Sequence, residues 1–205
     1  MNELTKAQKE YFKDSKVRDQ QGNLLVCYHG SRSRTEFDTF DNVKTEPGYW
    51  FSEDEDYASS HGTQTFKCYL NLKNPFNLEA PGNDDLLWVY AKDCFKTSDV
   101  GEKQIFSNQF RDYLQEKGFD GMMWIHSGAY TIVAFEPNQI KSIDNLFPTL
   151  SDNFMDNSEE YKTQPNLSLS ERLEIAKYIK SKGIGDDGGA GAPPACARER
   201  EEVER

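Results

Sequence analysis

The sequence predicts an α+β fold whose sheets are mostly antiparallel. Strand-like and helix-like segments are interspersed without the regular strand-helix-strand spacing of a parallel, doubly wound sheet. Two pairs of strand-like segments are joined by tight turns, at Asp19-Gln20-Gln21-Gly22-Asn23 and at Ser127-Gly128, where glycine and asparagine accept the positive φ that a hairpin needs. The 205 residues suffice for one domain with its own core plus appendages.

Each element has its own signal. Residues 5–13 mix Ala, Gln, Lys and Glu with Tyr11 and Phe12, an amphipathic helix that begins at a Thr cap. Residues 15–18 and 24–28 form the first hairpin, which presents His29 at its exit. Residues 32–47 hold Phe37 and Phe40 among polar neighbours, an irregular loop with aromatics folded under it. Residues 48–52 are a strand. Residues 53–62 are a short helix with acids in its first turn, Ser52 placed to cap it and Gly62 to end it. Residues 64–72 alternate Phe66, Cys68, Leu70 and Leu72 with polar neighbours, a half-exposed strand closed by Asn74-Pro75. Helical spacing marks 86–95 and 105–117, the second stopped by Gly118. Residues 119–125 and 130–135 are the second hairpin.

Composition turns polar and acidic after about Ile143, which predicts three parts. Residues 1–145 form the domain. Residues 146–182 are an acidic linker and a helix opened by the capping box Ser168-Leu169-Ser170-Glu171. Residues 183–205, Gly, Ala, Pro and charged residues without an apolar face, are expected to be disordered.

Several classes of function are disfavoured. A formal charge of −11, from 24 Lys and Arg against 35 Asp and Glu, argues against a surface that tracks nucleic-acid phosphates. No stretch approaches the roughly 18 apolar residues of a membrane helix, and residues 1–10 are polar, so a cytoplasmic chain without a membrane partner is expected. Cys27, Cys68, Cys94 and Cys196 show no CxxC pairing, which supports neither a zinc knuckle nor a disulfide framework. The three histidines, His29, His61 and His126, have no matching Cys or carboxylate spacing, so no metal site is expected. Nothing in the sequence sets an oligomeric state.

The chemistry concentrates in Val26-Cys27-Tyr28-His29-Gly30-Ser31-Arg32 and in the later run Gly48-Tyr49-Trp50-Phe51-Ser52. His-Gly-Ser delivers an imidazole, a bare main chain and a hydroxyl to one place. A flat carboxamide such as nicotinamide needs that combination, because glycine lets the main-chain N–H and C=O approach both of its polar atoms. Alternation on the second strand buries Tyr49 and Phe51 on one face and turns Trp50 to the other, where an indole can stack. Arg32 and Arg34 either reach a pyrophosphate or anchor the loop. His61, at a helix C-terminus, is also explained by the helix dipole.

These two runs, with Ala58 and His61 after them, resemble the ADP-ribosyltransferase superfamily, on the branch of diphtheria toxin and the poly(ADP-ribose) polymerases. Tyr11-Phe12-Lys13-Asp14-Ser15-Lys16-Val17 and Ala134-Phe135-Glu136-Pro137-Asn138-Gln139-Ile140 extend the likeness over residues 4–145 to the polyvalent-protein ADP-ribosyltransferases of phages and mobile elements. The resemblance implies split antiparallel sheets flanked by short helices around an NAD cleft, with NAD as substrate. It implies NAD contacts by His29, Gly30, Ser31, Arg32, Tyr49, Trp50, Phe51, Ser52 and His61, and catalytic positions at His29, Trp50 and Thr131. His29 would bond the adenosine ribose, Gly30 the nicotinamide amide, Ser31 would support that contact, and Arg32 would face the pyrophosphate. It further implies a mono-ADP-ribosyltransferase that modifies a host protein in the cytoplasm of a bacterial cell.

Two positions depart from that pattern. Trp50 stands where the relatives carry a tyrosine, and Thr131 where they carry a glutamate. A threonine hydroxyl can bond a ribose hydroxyl but brings no charge and no general base at neutral pH. Glu136 is the nearest acid, yet alternation places it opposite Thr131, Val133 and Phe135, as a turn residue. Transfer assisted by a target Asp or Glu fits this pattern, and polymer synthesis does not. The alternatives are an impaired module that binds NAD or a partner protein, and an NAD glycohydrolase.

Overall fold

The computed structural model describes residues 3–33, 37–40 and 47–155. Helix α1 (Lys6–Tyr11) opens with a full capping box. The Thr5 hydroxyl accepts from the Gln8 N–H at 3.1 Å, and the Gln8 carboxamide accepts from the Thr5 N–H at 3.0 Å. Just beyond α1, Phe12 packs with Leu24 and Tyr69. The predicted first hairpin reduces to one bridge, Arg18 with Leu24, around Gly22 at φ 82°. Strand β1 (Cys27–Ser31) therefore starts later than expected, and His29, Gly30 and Ser31 lie inside it rather than at its exit. The cause is long-range: β1 pairs along its whole length with β3 (Gln64–Leu70), from Cys27 opposite Cys68 to Ser31 opposite Gln64.

Strand β2 (Tyr49–Ser52) leads into helix α2 (Glu55–Ser59). Asp54, not Ser52, caps α2, its carboxylate accepting from the Tyr57 N–H at 3.0 Å, while the Ser52 hydroxyl accepts from the Asp54 N–H. After β4 (Phe76–Asn77) come α3 (Asn83–Phe95), α4 (Glu102–Ile105) and α5 (Asn108–Glu116). The single helix expected over 105–117 is thus broken, because the Ser107 hydroxyl accepts from the Phe110 N–H and starts α5 afresh. Strands β5 (Gly121–His126) and β6 (Ala129–Ala134) form the expected hairpin across Ser127 at φ 53° and Gly128 at φ 87°. A 3-10 turn (Pro137–Gln139) precedes β7 (Ile140–Ser142).

These strands make one sheet in the order β4-β5-β6-β2-β1-β3-β7, antiparallel throughout except for β4 with β5. The expected split survives as a seam. The halves β4-β5-β6-β2 and β1-β3-β7 meet through one register pair, Tyr28 with Ser52. One face packs Cys27, Tyr49, Phe51, Cys68, Leu70 and Ile132 against Phe40 and Phe154. The other packs Phe76, Met122, Val133 and Phe135 against α3, α4 and α5. Phe110 and Leu114 of α5 are fully buried there, each contributing about 1.5–3 kcal/mol of apolar burial. Residues 146–155 fold back onto the same core. Phe154 is fully buried, and the buried Lys141 ammonium donates to the Ser151 and Asn153 carbonyls at 2.5 and 3.1 Å.

The chain divides into the units Met1–Glu160 and Tyr161–Arg205. The expected helix near Ser168, the tail and Arg34 lie outside the described residues. Among the described residues no helix is long and apolar enough to cross a membrane.

Candidate functional site

Helix α2 lies directly on β1. A Cβ on Gly30 would stand 1.9 Å from the Ala58 carbonyl oxygen, and one on Gly62 would stand 2.2 Å from the Ser31 carbonyl oxygen. Only glycine permits that approach. The helix thereby roofs the seam between β1 and β2, and a cleft of about 310 Å³ opens beneath it.

His29 holds one side of the seam. Its Nδ1 lies 2.8 Å from the Trp50 main-chain oxygen. A carbonyl only accepts, so Nδ1 carries the proton and Nε2 is left as an acceptor. The ring packs edge-on against Phe40, at 5.0 Å between centroids, and tilted on Phe51 at 5.4 Å. Burial among these rings pulls the His29 pKa below its ordinary value, against the smaller opposing effect of the Trp50 carbonyl. The imidazole is held neutral.

Trp50 forms the apolar wall. Its indole stands edge-on to Phe106 at 5.3 Å and to Trp124 at 5.5 Å, on the face opposite Tyr49 and Phe51. Ser52 and Thr131 are register partners and lie side by side, 4% and 6% exposed. Trp124 pairs with Thr131 from the next strand, so the wall and the floor belong to one continuous surface.

The structure thus brings His29, Gly30, Trp50, Phe51, Ser52, His61 and Thr131 around one cleft. Three expected site residues do not line it. Tyr49 is turned by strand alternation to the other face, where it is 1% exposed and donates its hydroxyl to the Phe40 carbonyl at 3.1 Å. The Ser31 hydroxyl accepts from the Ser33 N–H. Arg32 donates from Nε to the His61 carbonyl at 3.2 Å, which ties the end of α2 to the end of β1 and is the anchoring alternative. The two terminal nitrogens of Arg32 take no part in that bond.

Tyr28 and Tyr57 also line the cleft and were not among the expected site residues, and Ala58, part of the motif that carries the resemblance, lines it as well. Helical spacing was the available signal for Tyr57, four residues before His61, and the two rings meet at 4.8 Å. His126, at the tip of the β5–β6 hairpin, meets Tyr57 at 5.9 Å. Among the described residues, none that lines the cleft is an Asp or Glu. Glu136 is a turn residue, its carboxylate accepting from the Gln115 side chain at 2.8 Å. The described lining residues can stack a ring, pair an amide with main chain and accept from a hydroxyl, and they include no carboxylate, lysine or arginine. Among the described residues no group of three or more His, Cys, Asp or Glu side chains could hold a metal ion.

A family model described as ADP-ribosyltransferase in polyvalent proteins matches residues 19–150. A solved structure described as the crystal structure of an anti-CRISPR protein is similar at 14% identity with a TM-score of 0.37, covering 54% of this chain and 88% of its own. No curated protein matches the chain.

Proposed function

The chain belongs to the family of ADP-ribosyltransferases in polyvalent proteins, and from that premise we propose that it cleaves NAD and transfers a single ADP-ribose to a host protein in the bacterial cytoplasm. The observation that carries this reading is the cleft itself, with a neutral imidazole, a bare glycine main chain, an indole and a hydroxyl around one seam. At about 310 Å³ it lies near the lower end of ligand pockets, a size that suits nicotinamide and its ribose, with the rest of NAD along the mouth beside His61 and Tyr57.

In this reading the Gly30 main chain pairs with the nicotinamide carboxamide, and Trp50 and His61 flank the ring. His29 accepts from a ribose hydroxyl through Nε2. Arg32 offers its terminal nitrogens to the pyrophosphate, and Ser52 and Thr131 bond the nicotinamide-side ribose. The bond from C1′ to the pyridinium nitrogen breaks, its electron pair goes to the leaving nicotinamide, and the sugar passes through a cationic, oxocarbenium-like state. An acceptor oxygen then forms the new bond to C1′. With Thr131 in place of an acid, the charge opposite that cation comes from the acceptor, so an Asp or Glu side chain of the target is the favoured substrate.

Thr131 at the position where the resemblance expects a glutamate, with no carboxylate among the described lining residues, also favours a second reading, in which the cleft holds NAD without turning it over. Incubation with labelled NAD and bacterial lysate separates the two. Label on a protein that vanishes in His29→Ala supports transfer. NAD bound without nicotinamide release sinks it, and free ADP-ribose formed without lysate identifies water as the acceptor.

A further inference from the structure

We infer that His29 is a positioning residue that keeps the β1–β2 seam open, so that the Gly30 main chain remains available to a carboxamide. The ligand's identity rests on the NAD reading above, whereas the seam does not. Main-chain groups alternate sides along a strand. On β3 the Lys67 carbonyl accepts from the Ile143 N–H on the β7 side, so Phe66 and Cys68 bond toward β1. Their register partners His29 and Cys27 bond back to β3, and Tyr28 and Gly30 therefore point their N–H and C=O groups at β2. On β2 the Glu53 N–H donates to the Tyr130 carbonyl of the β6 side at 2.9 Å, so Ser52 and Trp50 point theirs at β1.

Tyr28 and Ser52 make the one rung that results. The next rung in the same register would join Gly30 to Trp50. It does not form, and the Trp50 carbonyl that would accept the Gly30 N–H instead accepts the His29 Nδ1–H at 2.8 Å. The side chain of one residue thus takes the acceptor that its neighbour's main chain would use. Without the imidazole, the Trp50 carbonyl regains the Gly30 N–H as its partner in register, and the rung closes over the carboxamide site.

The test uses the full chain, nicotinamide as probe, and two variants. Asparagine places a donor where Nδ1 was and lacks Nε2, whereas alanine lacks both. Calorimetry should show nicotinamide affinity falling about tenfold in His29→Ala and staying within about threefold in His29→Asn, the order set by one hydrogen bond. Both variants should lose affinity for NAD, whose ribose needs Nε2. Hydrogen exchange without ligand should show the Gly30 amide better protected in His29→Ala than in the unaltered chain. If His29 acts only on the ribose, His29→Ala binds nicotinamide as the unaltered chain does, and the proposal is overturned. Unchanged or faster exchange at Gly30 overturns it equally, as does His29→Asn behaving like His29→Ala toward nicotinamide. If the unaltered chain binds no nicotinamide, the NAD reading fails, and the exchange measurement still decides the seam.

Discussion

Ser52 and Thr131 stand directly opposite each other in the β2–β6 ladder and together floor the cleft, each almost fully buried. In the proposed NAD complex, a carboxylate introduced at Thr131 would face the place where positive charge develops on the ribose. Thr131→Glu should raise the rate of nicotinamide release by about a hundredfold, the order of one well-placed electrostatic group. Chromatography of released nicotinamide measures it. An unchanged rate in a folded variant shows that position 131 does not face the ribose.

Burial holds the His29 pKa below its ordinary value, so the folded chain binds fewer protons than the unfolded one in the acid range. The stability tied to the neutral imidazole is fully present above the unfolded value of about 6.5 and is lost as pH falls through the lower, folded value. Unfolding midpoints in urea should decline from pH 7.5 downward, and the slope should be shallower in His29→Asn, which has no group to protonate. Equal slopes would remove His29 from the acid response.

Gly30→Ala places a methyl group against the Ala58 carbonyl oxygen, which is backbone and cannot turn aside. Helix α2 must lift or β1 must bend, at a cost of about 1–3 kcal/mol or more. Denaturant titration should show that loss together with lost NAD binding. Shortening Ala58 to glycine should not restore either, since the obstructing atom belongs to the main chain.

Cys27 and Cys68 face each other across β1 and β3, both fully buried, and burial drives both thiol pKa values upward. The sign is opposite to that of His29. The stability tied to the neutral thiols is present below the ordinary thiol range and lost as pH rises through it, because only the unfolded chain ionises there. Alkylation followed by peptide mass spectrometry should find Cys94, which is partly exposed, modified in the native protein. Cys27 and Cys68 should react only on unfolding; modification at native conditions would contradict the packing described.

Periodicity and turn chemistry were enough to locate α1, α3, β2, β3 and the β5–β6 hairpin, because each carries its own cap, turn, helical-spacing or alternation signal, even where, as in β2 and β3, its partners are distant. The elements that escaped depend on distant partners. Strands β4 and β7 are two and three residues long and exist through pairing with β5 and β3. The start of β1 is set by its ladder with β3, which moves His29 from a strand end to a strand interior. Phe154 sits in polar surroundings in the sequence, yet packs between Phe37, Phe40 and Phe66. At the site, alternation correctly sent Tyr49 to the core, but the motif alone did not separate it from Trp50. Tyr57 was hidden because its role comes from facing His61 and His126, which a linear motif does not record.

A sheet whose halves share a single rung is mechanically two plates on one hinge line. A planar amide seated against Gly30 would supply main-chain-like hydrogen bonds where the second rung is missing, so binding there is a form of sheet completion. The ligand's free energy then couples the plates as well as filling a pocket, and protection on binding should spread outward along β1 and β2 to the strands on either side.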